Sequence, residues 1–235
     1  MAFGRITGWA IDLPERILTN DELSQMVDTS DEWIRERSGI STRHIDGKVS
    51  EMSTNAGRAA IEKAGVKPGE IDLFILATTT ADQVVPATSS IVQDNLGLSC
   101  GAFDLNAACS GFVYGLVTAM QFSDSGMEKI LLIGSDSLST FTDWEDRSTC
   151  VLFGDGAGGV ILEPTKPDNG IISSILKTDG SGASSLNVEA GGSRKPASEE
   201  TIANREHFIR QDGKKVFKFA VKGMADVSEE ILIKN

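Results

Sequence analysis

Two kinds of apolar run recur along this chain, and their order predicts its architecture. Ile71-Asp-Leu-Phe-Ile-Leu-Ala-Thr-Thr79 and Lys129-Ile-Leu-Leu-Ile-Gly134 are nearly continuous, the pattern of strands buried on both faces. Segments of helical length separate them. Ser53 to Ala64 is rich in alanine and closed by Gly65, Pro86 opens a helix through Leu96-Gly97, and an almost uncharged stretch runs from Cys109 to Met120. Near the start, Arg5 to Ile11 reads as a short strand and Leu13-Pro14-Glu15 as a turn. Thr19 or Asn20 then caps a helix with acids in its first turn. Thr29 or Ser30 caps the next, which carries Trp33, Ile34 and Arg37. Strands alternating with helices predict an α/β fold with a largely parallel sheet sandwiched by helices.

The later chain changes character. Gly154, Gly156 and Gly159 satisfy G-x-G-x-x-G, but Val160-Ile-Leu-Glu-Pro164 follows, a strand and a stop. A pyrophosphate would have no helix N-terminus to sit on, so the dinucleotide reading fails. The stretch Val151 to Leu162 is read instead as a strand, a glycine-rich bend and a returning strand, with Asp155 bonding neighbouring backbone N–H groups. Pro164 to Gly170 is the candidate linker, Ile171 to Leu176 starts another strand, and residues 179–200 read as a long Gly/Ser/Ala-rich loop. From Lys214 onward Phe217, Val221 (or Ala220), Met224, Val227 and Ile231 recur at helical spacing.

Composition narrows the class. The chain has 235 residues, is 40% hydrophobic and carries 24 glycines, enough for a substantial core with many tight turns. Cys100, Cys109 and Cys150 form no CxxC pair, which argues for a reducing compartment and against a zinc site. No apolar run reaches membrane-spanning length and the N-terminus lacks a signal-peptide core, so a cytoplasmic location is expected. Net charge is −12; the first 200 residues carry −14 and residues 201–235 a surplus of two positive charges. Such an acidic body argues against nucleic-acid or anionic-membrane partners.

Three features carry candidate chemistry. Cys109 falls where an apolar strand turns through small residues into a helix, a junction whose free N–H groups and dipole favour a thiolate. The alternative is a buried structural cysteine. Gly111 and Gly115 beside it admit a close backbone or a thin substrate. Trp33 and Arg37, four apart on one helical face, form a platform for a flat aromatic ring, or else a core plug and a surface ion-pair partner. Lys214, Lys218 and Lys222, joined by Arg210 if the helix reaches back that far, make a basic stripe that either docks an acidic partner or is merely solvated.

Four motifs together resemble β-ketoacyl-acyl-carrier-protein synthase III, the initiating condensing enzyme of type II fatty acid synthesis in the thiolase superfamily. They are Asp28-Thr-Ser-Asp-Glu-Trp-Ile34, Arg37-Ser-Gly-Ile40, Ala107-Ala-Cys-Ser-Gly-Phe112 and Phe153-Gly-Asp-Gly-Ala-Gly158. The resemblance implies a thiolase-like layered αβαβα fold, with residues 1–163 as a complete first half and 171–235 as the start of a second, and a homodimer when full length. It implies that Cys109 is the acyl-accepting nucleophile and that Trp33 and Arg147 stack on the adenine of coenzyme A. By the same resemblance Thr29 and Arg37 lie along the nucleotide and phosphates, and Leu152 and Phe217 line the pantetheine tunnel. Lys218, with Lys214 and Lys222, would face acyl carrier protein. Val85 would reach into the partner's acyl pocket, its size admitting primers beyond acetyl. Acyl-CoA and malonyl-acyl carrier protein are the implied substrates, with no metal or redox cofactor.

Departures from the family pattern also matter. Ser38 stands where the family usually has threonine. The family's condensation uses a histidine and an asparagine; His44 and His207 lie in no matching motif and read as surface or loop residues. The chain stops at Asn235 on a helix just begun, so the second half is expected to be incomplete, the asparagine position to lie beyond Asn235, and this polypeptide alone to be inactive in condensation. The alternatives are another thiolase-superfamily acyltransferase, of hydroxymethylglutaryl-CoA synthase or polyketide starter type, or a fragment that at most accepts an acyl group.

Overall fold

A computed structural model of the protein describes residues 3–166 and 170–235. The chain begins with β1 (Phe3–Asp12), β2 (Ile17–Thr19), α1 (Asn20–Leu23), α2 (Asp31–Ser38), β3 (Thr42–His44), α3 (Val49–Ala64) and β4 (Leu73–Ala77). It continues with α4 (Thr88–Asn95), β5 (Gly101–Leu105), α5 (Gly111–Asp124), β6 (Ile130–Ser137), α6 (Arg147–Cys150) and β7 (Asp155–Thr165). The last elements are β8 (Leu186–Val188), α7 (Glu199–Ala203), β9 (Ile209–Gln211) and α8 (Gly213–Lys234). Contacts gather these into two compact units, each drawn from separated stretches of chain.

The first unit spans Met1–Arg16, His44–Ser137 and Asp155–Ser174 and is built on a five-stranded sheet in the order β1-β7-β6-β4-β5. Its two faces are covered separately. Phe74 and Leu76 of β4, with Leu131 and Ile133 of β6, pack with Met52, Ala56 and Ala60 of α3 and Val92 of α4. Leu73, Ile75, Ile130 and Leu132 point the other way, toward Ala119, Phe112 and Leu116 of α5. That alternation is why both strands are apolar at nearly every position. The fold class is thus the expected α/β sheet between helices.

The sheet is less parallel than expected. β4 runs parallel to β5 and β6, but β7 is antiparallel to both β1 and β6. The glycine-rich stretch is the cause of a second difference: no strand precedes a bend there. Val151 to Gly154 is a turn, and Asp155 to Thr165 is one continuous strand paired on both edges. Its glycines serve packing, since a Cβ on Gly159 would lie 3.3 Å from Ile133 and 3.5 Å from the Ala56 carbonyl oxygen. Asp155 bonds a distant backbone group, accepting from the Gly47 N–H at 2.9 Å. β7 takes in Pro164 and Thr165 of the expected linker, and residues 167–169 of it lie outside the described residues. Ile171 to Leu176 forms no strand; the Ile171 N–H donates to the Gly4 carbonyl at 3.1 Å.

The second unit comprises Ile17–Arg43, Leu138–Gly154 and Ile175–Asn235. The expected long loop at 179–200 contains a 3-10 turn, the strand β8 paired antiparallel with β9, and the start of α7. α1 opens on the expected Thr19 cap, reinforced by Glu22, whose carboxylate accepts from the Thr19 N–H at 2.8 Å. α8 begins at Gly213, so Arg210 lies in β9 and the helical basic stripe is Lys214, Lys218 and Lys222. No helix among the described residues is long and apolar enough to cross a membrane.

Candidate active site

Cys109 follows the C-terminal end of β5, the end at which open α/β sheets form ligand sites. Residues Ala108–Ser110 make a 3-10 turn, and α5 starts at Gly111. The elbow is tight: Ala108 has φ +46°, in the left-handed region that side chains rarely adopt. Local bonds hold it there. The Ala108 N–H donates to Asn106 Oδ1 at 3.1 Å, and the Ser110 N–H to the Ala107 carbonyl at 3.1 Å.

Gly115 lets α5 approach the sheet closely, whereas a Cβ on Gly111 would meet only an ordinary contact. A Cβ on Gly115 would lie 2.5 Å from Leu132, and one on Gly111 3.4 Å from Ala77. Cys109 itself is exposed, so it is not the buried structural thiol of the alternative reading. Cys150 is that thiol: it is fully buried, and burial first, then Asp146, pushes it up to about 11. Cys100 is half-buried, with its thiol pushed up by burial.

The nucleotide-binding candidates fall in the second unit. Ser30 caps α2 through the Trp33 N–H at 3.1 Å, and Gly39, at φ +75°, ends it in a left-handed turn that glycine adopts without a Cβ penalty. Ile34 is the buried plug of this helix, while Trp33 is half-buried. Two guanidinium groups flank the Trp33 ring: Arg37 at 4.7 Å and Arg147 at 5.0 Å from its centre. Arg147 is tethered by its donation to the Asp28 carbonyl at 2.8 Å. Thr29 Oγ1 is buried with no hydrogen-bond partner among the described residues. Leu152 follows α6 and is partly exposed, and Phe217 is 72% exposed on α8.

A buried guanidinium frames this platform, and sequence reasoning missed it. Arg43 donates to the Asn20 side-chain oxygen at 2.9 Å and to the Val151 carbonyl at 3.1 Å, beside the C-terminal end of α6. Asn20 in turn donates to Asp31 at the start of α2 and to the Ile40 carbonyl, each at 2.8 Å. Arg35, then Asn20, holds the Asp31 carboxyl below its usual range. No local pattern announces Arg43; only its burial and its acceptors from distant segments do.

Among the three lysines of the stripe, Lys222 is paired with Asp226 at 2.6 Å, whereas Lys214 and Lys218 are exposed and in no salt bridge among the described residues. His44 ends β3, half-buried, with Nδ1 2.5 Å from the Pro14 carbonyl, so it is not a loop residue. His207 lies between α7 and β9, with Nε2 3.0 Å from Thr201 Oγ1. No cluster of His, Cys, Asp and Glu among the described residues could hold a metal ion.

Comparison with known proteins adds the family. Residues 103–180 match the family of 3-oxoacyl-[acyl-carrier-protein (ACP)] synthase III. The chain is 48% identical over 232 residues to a β-ketoacyl-[acyl-carrier-protein] synthase III of Caldanaerobacter subterraneus, covering 97% of this chain and 70% of that protein. It is 47% identical over 243 residues to the synthase III of Natranaerobius thermophilus, covering 100% of this chain and 74% of that protein. The structure of 3-oxoacyl-[acyl-carrier-protein] synthase III from Aquifex aeolicus superposes with a TM-score of 0.87 at 40% identity, covering 98% of this chain and 71% of that one. Identity at this level, sustained along nearly the whole chain and matched by the course of the backbone, places it: the chain belongs to the β-ketoacyl-[acyl-carrier-protein] synthase III family.

Proposed function

We propose that the protein is an acyltransferase in which Cys109 takes an acyl group from acyl-CoA and passes it to malonyl-acyl carrier protein, forming 3-oxoacyl-acyl carrier protein. The observation that carries this reading is the exposed thiol on the β5–α5 elbow of a chain of this family. The Cys109 thiolate attacks the thioester carbonyl, and the tetrahedral oxyanion collapses to expel coenzyme A as its thiolate. The Cys109 backbone N–H supplies one donor toward that oxyanion. In the second step malonyl-acyl carrier protein loses carbon dioxide. Its carbanion attacks the acyl-cysteine carbonyl, forming the new carbon–carbon bond and returning the thiolate to Cys109.

Trp33, Arg37, Arg147 and Thr29 take the nucleotide end of coenzyme A in this reading, and Leu152 and Phe217 its pantetheine arm. The two guanidinium groups over the Trp33 ring support it, since a purine stacks on either surface. At 5.0 Å from the ring centre, Arg147 must move outward to admit a base between them. Exposed Lys214 and Lys218 serve an acidic carrier protein. Val85, 80% exposed, meets a second copy of the chain in a homodimer. Residues 1–163 and 171–235 correspond in this reading to the first thiolase-like half and part of the second.

Intact-mass measurement after acetyl-CoA treatment tests the first step. An acetyl adduct is expected on the wild type and none on Cys109→Ala; an adduct that persists in the variant rejects the nucleophile.

A further inference from the structure

We propose that Arg205 is a positioning residue for the nucleotide platform, holding the turn from which Arg147 reaches Trp33; this rests on the reading of Trp33 and Arg147 as nucleotide-binding residues. α6, which begins at Arg147, has four residues. One turn of helix does not hold itself together, because nucleation costs more than one turn returns. The backbone position from which Arg147 extends toward the Asp28 carbonyl and Trp33 is therefore set by the residues just before it.

Those residues form a built turn. The Asp146 N–H donates to the Asp143 carbonyl at 3.0 Å, and the Glu145 N–H to Asp143 Oδ1 at 3.0 Å. Asp146 then caps α6, accepting from the Ser148 N–H at 2.9 Å and the Thr149 hydroxyl at 3.0 Å. Asp143 is the pivot of this arrangement.

Arg205 grips the pivot with a two-pronged fork. Its Nε donates to Asp143 Oδ2 at 3.0 Å, its Nη2 to Asp143 Oδ1, and its Nη1 to Glu145 at 3.2 Å. The guanidinium is itself supported from below by the Phe208 ring, 5.1 Å from its carbon to the ring centre. Its backbone takes the left-handed conformation at φ +57°, tied by the Arg205 N–H to the Ile202 carbonyl at 3.0 Å. A non-glycine residue held there marks a conformation that its surroundings impose. The pair is only part-buried, with the Arg205 side chain 39% and the Asp143 side chain 16% exposed, and a pair still open to water adds modestly to overall stability, so the main consequence of this clamp is geometric. Lysine, a single point charge, cannot reproduce the planar fork.

Acylation of Cys109 by acetyl-CoA and by acetyl-pantetheine, which lacks the nucleotide, tests the proposal in Arg205→Met and Arg205→Lys. In Arg205→Met the half-saturating acetyl-CoA concentration is expected to rise about tenfold at an unchanged limiting rate, with acetyl-pantetheine use unaltered. Arg205→Lys is expected to recover only part of the loss. Equal losses with both substrates would show a merely structural role and overturn the proposal. Trp33→Ala and Arg147→Ala run alongside. If they lose acetyl-CoA use while Arg205→Met does not, the clamp is rejected and the platform stands. If they too keep it, the platform reading fails and takes the clamp with it.

Discussion

The guanidinium of Arg147 lies 5.0 Å from the centre of the Trp33 ring, although the two residues sit on separate helices, α6 and α2. The contact is secured at both ends: Ser30 caps the helix under Trp33, and the Asp28 carbonyl holds Arg147. Arg37, from the same helix as Trp33, completes a cationic frame around one aromatic face-former.

Loss of either member of this pair should weaken the nucleotide end of the ligand selectively. Trp33→Ala and Arg147→Ala are each expected to raise the dissociation constant for coenzyme A about tenfold, the scale of one stacking or cation–π contact. Calorimetric titration with coenzyme A checks this. An unchanged affinity in both variants would remove the platform.

The three thiols should separate by alkylation. At pH 7.5 iodoacetamide is expected to label exposed Cys109 first and to leave Cys150 unmodified in the folded protein, because its thiol is buried and pushed up to about 11. Peptide mapping gives the order. Cys150 also sets an alkaline limit. Its folded value lies above the 9.0 of a free thiol, so the native state holds the proton that the unfolded state gives up, and stability should fall as pH rises from about 9 through about 11. In Cys150→Ala that part of the decline should disappear from denaturant titrations; an identical alkaline profile would contradict it.

Ala108 bears the strain of the elbow at φ +46°. Replacing it with glycine removes a Cβ from the left-handed region and is expected to stabilise the fold by about 1 kcal/mol, whereas Ala108→Val should destabilise it by at least as much. Urea unfolding of both variants reads the sign. A destabilising Ala108→Gly would mean the turn is held without strain.

The basic stripe should act unevenly. Lys222 is already paired with Asp226 at 2.6 Å, while Lys214 and Lys218 are exposed and in no salt bridge among the described residues. Lys214→Glu and Lys218→Glu are expected to weaken binding of an acyl carrier protein about tenfold at low salt, with a smaller effect for Lys222→Glu and a smaller effect of all three as salt rises. Surface plasmon resonance across a salt series tests this, and equal effects at all three positions would reject the distinction.

Much of the fold is written in local pattern. The continuous apolar runs of β4 and β6 could only be strands covered on both faces, and alternate residues do meet α3 and α5. Ser30, Thr19 and Gly39 mark helix ends because their side chains, or the lack of one, meet an unpaired backbone group directly. The position of Cys109 between a strand and a helix was legible for the same reason, and so was the spacing that puts Trp33 and Arg37 together.

Other features were decided only by the tertiary structure, because their causes lie far off in the chain. Gly156, Gly158 and Gly159 carry a strong turn signal, yet β1 and β6 pair with both edges of β7 and hold it extended. Ile171 to Leu176 has the composition of a strand, but no strand pairs with it among the described residues, and an unpaired backbone does not stay one. The same holds for the site. Sequence marks residues by their local placement, such as Cys109 at a strand-to-helix junction and Trp33 one helical turn from Arg37. It is silent on Arg43 and Arg205, ordinary arginines in ordinary surroundings along the chain, whose acceptors at Asn20, Val151 and Asp143 are brought within reach only by folding.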